Sequence, residues 1–429
     1  MTHGPRRMGS RRANRGLDAA NFFLADVRDG LGPYLAIYLL TIQKWNEASI
    51  GVVMSIATAA GLLAQTPAGA LIDATRAKRG VMVAAALAVT TASLLLPLFS
   101  NFFLVAASQA TAHAAGAIFG PALAAVSLGI VGHAAFTKRI GRNESFNHAG
   151  NAVAAGTAGV TAYFFGPTVV FYLLAAMSLA SLASVLAIPG REIDNELARG
   201  LHDKPEGQSP GTGADDKPSG LSVLLTCRPL LVFAAAVVLF HLANAAMLPL
   251  VGQKLALQDR NLGTSLMSAC IVAAQMVMVP MAMLVGARAD RWGRKPLFLA
   301  AFLILPLRGC LYTLSDDPFW LVAVQTLDGI GAGIFGAVFP VIVADLMRGT
   351  GRFNVAQGAI LTAQGIGAAV STTLAGVVVV HLGYSAAFLT LAGVAVLGAL
   401  VFFFGMPETR PAEAEPLGSG TAASVLNPA

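Results

Sequence analysis

Asp26, Arg28 and Asp29 fall inside the first long apolar run of the chain, Gln109 and His113 inside the fourth, and His241 and Asn244 inside the seventh. Arg308 falls inside the ninth, and Gln325 and Asp328 inside the tenth. Ionisable groups buried in such runs are costly, so they face a partner or a polar cavity. The chemistry open to them is narrow. Carboxylates and imidazoles take up and release protons, while a guanidinium or an amide pairs with them or holds a polar solute. Asp26 and Asp29 are spaced i,i+3 and share nearly one helix face, whereas Arg28 lies about 100° from Asp29. Arg308 lies roughly 17 Å from the inner edge of its run at ~1.5 Å per residue. Asp328 lies about 15 Å from the same edge of an apolar core ~30 Å thick. The matching depths permit an Arg308–Asp328 pair, which makes Asp328 a poorer proton carrier than Asp26 or Asp29. Residue type alone does not rank these candidates with His113 and His241, and each also reads as an interhelical hydrogen bond or salt bridge.

The elements that hold these groups must cross a membrane. The 429 residues are 56% hydrophobic and 12% charged, with mean hydropathy +0.69; a soluble domain carries about 25% charged residues. Runs of ~18 or more apolar residues, long enough to span a bilayer, recur along nearly the whole chain. The net charge of +6 comes from cations in short loops and at the N-terminus, which topology explains without nucleic acid. Cys227, Cys270 and Cys310 lie in or beside apolar runs and form no disulfide framework. No phosphate-binding Gly-x4-Gly-Lys-Ser/Thr loop, no metal-ligand cluster and no hydrolytic constellation is present, so no cofactor, no metal and no enzymatic activity are expected.

The apolar runs predict an all-α polytopic membrane protein of twelve spans: 17–42, 50–72, 81–99, 102–131, 144–165, 168–188, 230–251, 265–285, 297–314, 319–346, 355–380 and 385–404. They divide the chain into a basic N-terminus (1–16), a six-helix bundle (17–189), a Pro/Gly/Asp/Lys-rich flexible linker (190–220), a second six-helix bundle (221–405) and a polar tail (406–429). Cations mark alternate loops: Arg76, Lys78 and Arg79; Lys138, Arg139 and Arg142; Arg288, Arg291, Arg294 and Lys295; Arg348 and Arg352. The positive-inside rule then puts both termini and the linker in the cytoplasm of a cell with the protein in its inner membrane.

The two bundles echo each other. Gly69 and Asp73 recur as Gly286 and Asp290, Pro33 as Pro249, Gln109 as Gln325, and Phe146-Asn147 as Phe353-Asn354. The stretch Gly286-Ala287-Arg288-Ala289-Asp290-Arg291-Trp292-Gly293-Arg294-Lys295 is read as a loop between two spans. Its spacing resembles the cytoplasmic signature loop of the major facilitator superfamily. The resemblance covers about residues 17–405 and implies that superfamily's fold of two six-helix pseudo-repeats. It also implies that the loop Asp caps a neighbouring helix N-terminus while the cations meet helix C-termini and headgroups. Gly69, Asp73, Gly286, Asp290, Arg291, Gly293 and Arg294 then form a conformational switch. The first copy departs from the pattern, with Ala74 and Arg76 where the motif has Arg and Gly, and the second copy is better kept.

In the superfamily, spans 1, 4, 7 and 10 line a central cavity with solute bound near the midplane. The resemblance therefore implies a solute and proton pathway along Asp26, Arg28, Asp29, Gln109, His113, His241, Asn244, Arg308, Gln325 and Asp328. Phe22, Phe23, Tyr34, Tyr38, Phe119 and Phe335 suit a partly apolar solute or simple helix packing. Span 4 lacks the Arg that drug/proton antiporters usually carry there, and span 10 holds only a partial echo in Gln325 and Asp328. The expected activity is proton-coupled export of a small organic solute by a monomer with alternating access. Proton-coupled import is the alternative within transport, and a non-transporting sensor or assembly protein is the alternative of another class.

Overall fold

Helices apolar on all sides are stable only when buried or surrounded by lipid. The computed structural model describes residues 9–29, 35, 38–40, 42–166, 168–201, 218–258 and 260–410, and among these residues there are helices but no strands. The first half comprises Arg11–Asp29 in span 1, Glu47–Ala74 in span 2, Lys78–Leu95 in span 3, the pair Phe102–Gly116 and Phe119–Val131 in span 4, His133–Phe165 in span 5 and Val169–Ala187 in span 6. In the second half, span 7 is the pair Arg228–Asn244 and Met247–Gln258. It is followed by Arg260–Trp292, Arg294–Leu311 and Pro318–Leu346 as spans 8 to 10. The continuous run Phe353–Gly405 is broken at Gly383, whose φ of 83° only glycine adopts freely, into spans 11 and 12. Eight of these helices are long and apolar enough by themselves to cross a membrane. Span 9 falls short because its 18 residues include Arg294, Lys295 and Arg308.

Several expected loops are helical. Span 5 begins at His133, so Lys138, Arg139 and Arg142 stand on its first turns. The reason is Asp18 of span 1, a buried carboxylate that accepts from Arg142 Nη2 at 2.7 Å and from Arg139. Pairing across two helices stabilises cations that sequence alone assigns to water. The signature stretch is likewise helical from Gly286 to Trp292, as the end of span 8. Only Gly293, at φ 90°, turns the chain before Arg294 opens span 9. The start of the expected flexible linker is folded: Gly190–Glu192 is a 3₁₀ turn, and Asn195–Ala198 is a short helix capped by Asp194. Leu197, Ala198 and Leu201 are buried there; residues 202–217 lie outside the described residues. Phe119 and Tyr38 are core side chains, with Tyr38 edge-on to Phe171, so their role is packing.

The halves meet most closely where the basic residues cluster, hereafter the basic end. Span 2 packs on span 11 and span 5 on spans 8 and 10. Gly69 lies so near the Asn354 carbonyl that a methyl there has no room, and a Cβ at Gly141 would sit 2.5 Å from Gly286 Cα. Further along the same seams, Thr66 Oγ1 lies 3.1 Å from Thr362 Oγ1, Ser145 Oγ donates to Val279 O at 3.0 Å, and His148 Nδ1 lies 2.9 Å from Gln275 Oε1.

Candidate functional site

Two groups of polar residues stand out, one at mid-span in the second half and one at the basic end. At mid-span, span 9 contributes Arg308, whose side chain is fully buried. Its Nη1 pairs with Asp328 of span 10, and its Nη2 donates to Asn244 Oδ1 of span 7. Met247, just past the break in span 7, offers its sulfur to Nε at 3.3 Å and to Nη2 at 3.1 Å. Gln325, one turn before Asp328, donates from Nε2 to Asp328 Oδ2 at 3.1 Å, and Tyr312 OH donates to Gln325 Oε1. Most donors and acceptors of the cluster are thus matched inside an apolar shell, which stabilises a buried network. His241 completes the surround: its Nδ1 lies 3.2 Å from Val237 O, its ring packs edge-on to Phe335 at 4.8 Å, and it lies within electrostatic reach of Asp328.

The structure therefore unites five of the expected pathway residues: His241, Asn244, Arg308, Gln325 and Asp328. Gln109 and His113 stand apart on span 4 of the other half. Gln109 is buried, and its Nε2 finds no partner among the described residues. His113 packs against Gly61 of span 2. Asp26, Arg28 and Asp29 end the span 1 helix, but their side chains lie outside the described residues. Met247 and Tyr312 were missed in the sequence because a thioether or a phenol in an apolar run is indistinguishable from core.

At the basic end the two signature copies behave differently. The Asp73 carboxylate accepts from the Val355 amide at 2.8 Å, the Asn354 amide at 3.2 Å and Asn354 Nδ2 at 2.8 Å. It thereby caps the N-terminus of span 11 in the opposite half, where free amides and the helix dipole favour a negative charge. Among the described residues Asp290, in the better-kept copy, caps no helix of the other half. Its side chain is 58% exposed and pairs at 2.9 Å with Arg294, one turn on in the same half. The bridge between halves here is Arg294 itself, which donates from Nη2 to Thr137 Oγ1 of span 5 at 3.2 Å and from Nε to Asp345 of span 10 at 3.1 Å. Arg291 is exposed.

The N-terminus of span 9 is capped instead by Glu408, from the segment after span 12. Its Oε1 accepts from the Arg294 amide at 2.9 Å and its Oε2 from the Lys295 amide at 3.1 Å. Arg410 Nη1 reciprocates with Arg291 O at 2.8 Å, closing the end of span 8. Burial works to raise the Glu408 carboxyl, but the backbone N–H groups of Arg410, Arg294, Lys295 and Thr409 outweigh it and hold it below the ordinary glutamate range.

The family described as Major Facilitator Superfamily matches over residues 17–287 and 233–428. The chain is 56% identical over 398 residues to an uncharacterized MFS-type transporter found in two Mycobacterium tuberculosis strains, covering 93% of this chain and 94% of the relative. Among solved structures it is similar to the human organic anion transporter TETRAN, with TM-score 0.68 and 14% identity over 91% of this chain and 99% of that one. It is also similar to the proton:xylose symporter XylE bound to 6-bromo-6-deoxy-D-glucose, with TM-score 0.65 and 14% identity over 93% and 96% of the two chains. At that identity the two structures speak for the fold alone.

Proposed function

The chain belongs to the major facilitator superfamily, whose members are secondary transporters and not enzymes, and from that premise we propose that it exports a small organic solute in exchange for protons. The observation that carries the reading is the Arg308–Asp328 pair with Asn244, Gln325 and Tyr312 around it, deep within spans 7, 9 and 10. A bundle that served only as a scaffold gains nothing from a charged cluster at that depth, because desolvating such a pair offsets its attraction. The same argument disfavours a non-transporting sensor.

In this reading the basic end faces the cytoplasm, both termini with it, and the protein works as a monomer in the inner membrane. The solute binds between the halves, against Arg308, Asp328, Asn244, Gln325 and His241 on one side and Arg28, Gln109 and His113 on the other. Asp328 is engaged by Arg308, so Asp26 and Asp29 carry the proton. The seams of spans 2 and 11 and of spans 5 and 8 close the cytoplasmic side, and Asp73 and Arg294 hold that closure. Import by proton symport uses the same parts and differs in the direction in which protons move.

The test is a comparison of two assays on Asp29→Asn in proteoliposomes. Solute exchange without a gradient continues, whereas accumulation driven by a pH gradient is lost. Equal gradient-driven transport in the variant and the parent rules out coupling through Asp29.

A further inference from the structure

We infer that the transported solute carries an anionic group, received first by Lys254 and then by Arg308. The inference rests on the transport reading above. Both cations lie in the second half, and in both ion pairs the cation is the buried partner. The Arg308 side chain is 1% exposed against 14% for Asp328, and the Lys254 side chain 10% against 73% for Asp316. The Asp18 pair of the first half is the contrast: carboxylate and Arg139 are both below a tenth exposed, and a second arginine adds to the hold. That pair is architecture. The other two are fixed cations whose counter-ions stand on the accessible side.

Arg308 is held in place without Asp328. Asn244 Oδ1 and the Met247 sulfur take its Nε and Nη2 donors. A thioether is a weak acceptor, so the five-donor guanidinium is under-served and has capacity for another anionic oxygen. Lys254 is similarly seated, with its Nζ 3.4 Å from Tyr312 O and 5.8 Å from the centre of the Phe388 ring. Met247 and Lys254 are seven residues apart on span 7, which places them on one helix face roughly 10 Å apart. The two cations thus stand in succession from the end remote from the basic residues to mid-span. An anion arriving at Lys254 replaces a carboxylate that stands largely exposed, and one arriving at Arg308 takes up the remaining Nη1 donor beside Asp328, which keeps the guanidinium and the Gln325 amide as partners. A cationic solute has to strip a buried cation of its carboxylate partner, which is far costlier.

The test uses purified protein in detergent, thermal-shift titrations, and three probes of one shape: benzoate, benzamide and benzylammonium. Benzoate raises the melting temperature saturably, and the other two do not. Asp328→Asn removes the competing charge and binds benzoate about tenfold tighter, the change typical of one charge-assisted hydrogen bond. Lys254→Met binds it several-fold more weakly, and Arg308→Gln loses it. Should Arg308→Gln fail to fold, the other two variants carry the result. Benzamide or benzylammonium acting as strongly as benzoate overturns the inference, as does an Asp328→Asn protein that binds benzoate no better than the parent or not at all. Binding is read without a gradient, so a protein that binds benzoate but moves nothing refutes transport and leaves anion selectivity standing. A protein that moves solutes but ignores benzoate does the reverse.

Discussion

The Asp73 carboxylate of the first half caps span 11 of the second through the Val355 amide, 2.8 Å away. Asp290, its counterpart by repeat, makes no such reach and pairs with Arg294 beside it. Of the two signature aspartates it is therefore the one in the poorer copy that latches the halves at the basic end, while the second copy reaches across through Arg294 and Thr137 instead.

Asp73→Ala is expected to loosen this latch by about 1 kcal/mol, the usual cost of removing a helix cap. The readout is disulfide formation between Thr66→Cys and Thr362→Cys, whose hydroxyls lie 3.1 Å apart, in a background lacking the native cysteines. Cross-linking falls in the Asp73 variant and stays near the parent level in Asp290→Ala. The opposite order contradicts the assignment of the latch to the first copy.

Gly141→Ala places a methyl against Gly286, where a Cβ meets the Cα at 2.5 Å. Spans 5 and 8 then cannot close at the basic end, and transport drops at least tenfold while the protein still inserts and folds. Gly156→Ala, on the same helix with nothing within 4 Å, is the matched control. Equal activity of the two variants removes the seam from the transport cycle.

Arg308→Gln leaves Asp328 buried without its cation. Loss of one partner of a buried pair costs about 3–5 kcal/mol, so the melting temperature falls by several degrees. The apolar double variant Arg308→Met/Asp328→Leu regains most of that stability and transports nothing. A double variant as unstable as the single one means the network serves folding, not function.

The Glu408 cap has a calculable pH dependence. Its carboxyl sits below the ordinary glutamate range in the folded protein, so its contribution is complete above the unfolded value and disappears only as pH falls through the lower, folded one. Amide exchange at Arg294 and Lys295 is expected to stay slow from neutral pH down past the usual glutamate range, and then to accelerate. Glu408→Gln exchanges faster at all of these pH values. Identical protection in parent and variant shows that the tail does not cap span 9.

Apolar runs, loop charge and the echo of Gly69 and Asp73 in Gly286 and Asp290 are enough to read twelve spans in two halves, because bilayer thickness leaves few alternatives. Depth arithmetic even finds the Arg308–Asp328 pair. What escapes is anything decided by which helix end lies opposite. Spacing within a loop says nothing about whether Asp73 or Asp290 faces free amides in the other half. Arg139 and Arg142 read as loop residues because their partner, Asp18, is more than a hundred residues away in the chain. Glu408 carries no signal in a polar tail until span 9 is seen to begin beside it.

The most direct measurement is proton flux in proteoliposomes under an imposed pH gradient, with a pH dye inside and organic acids, neutral solutes and amines added in turn. Proton-coupled export predicts that an added substrate collapses the gradient, with protons moving against the direction of the solute, and that the response vanishes in Asp29→Asn. A substrate that crosses without moving protons, or a proton response that survives in both Asp26→Asn and Asp29→Asn, contradicts it.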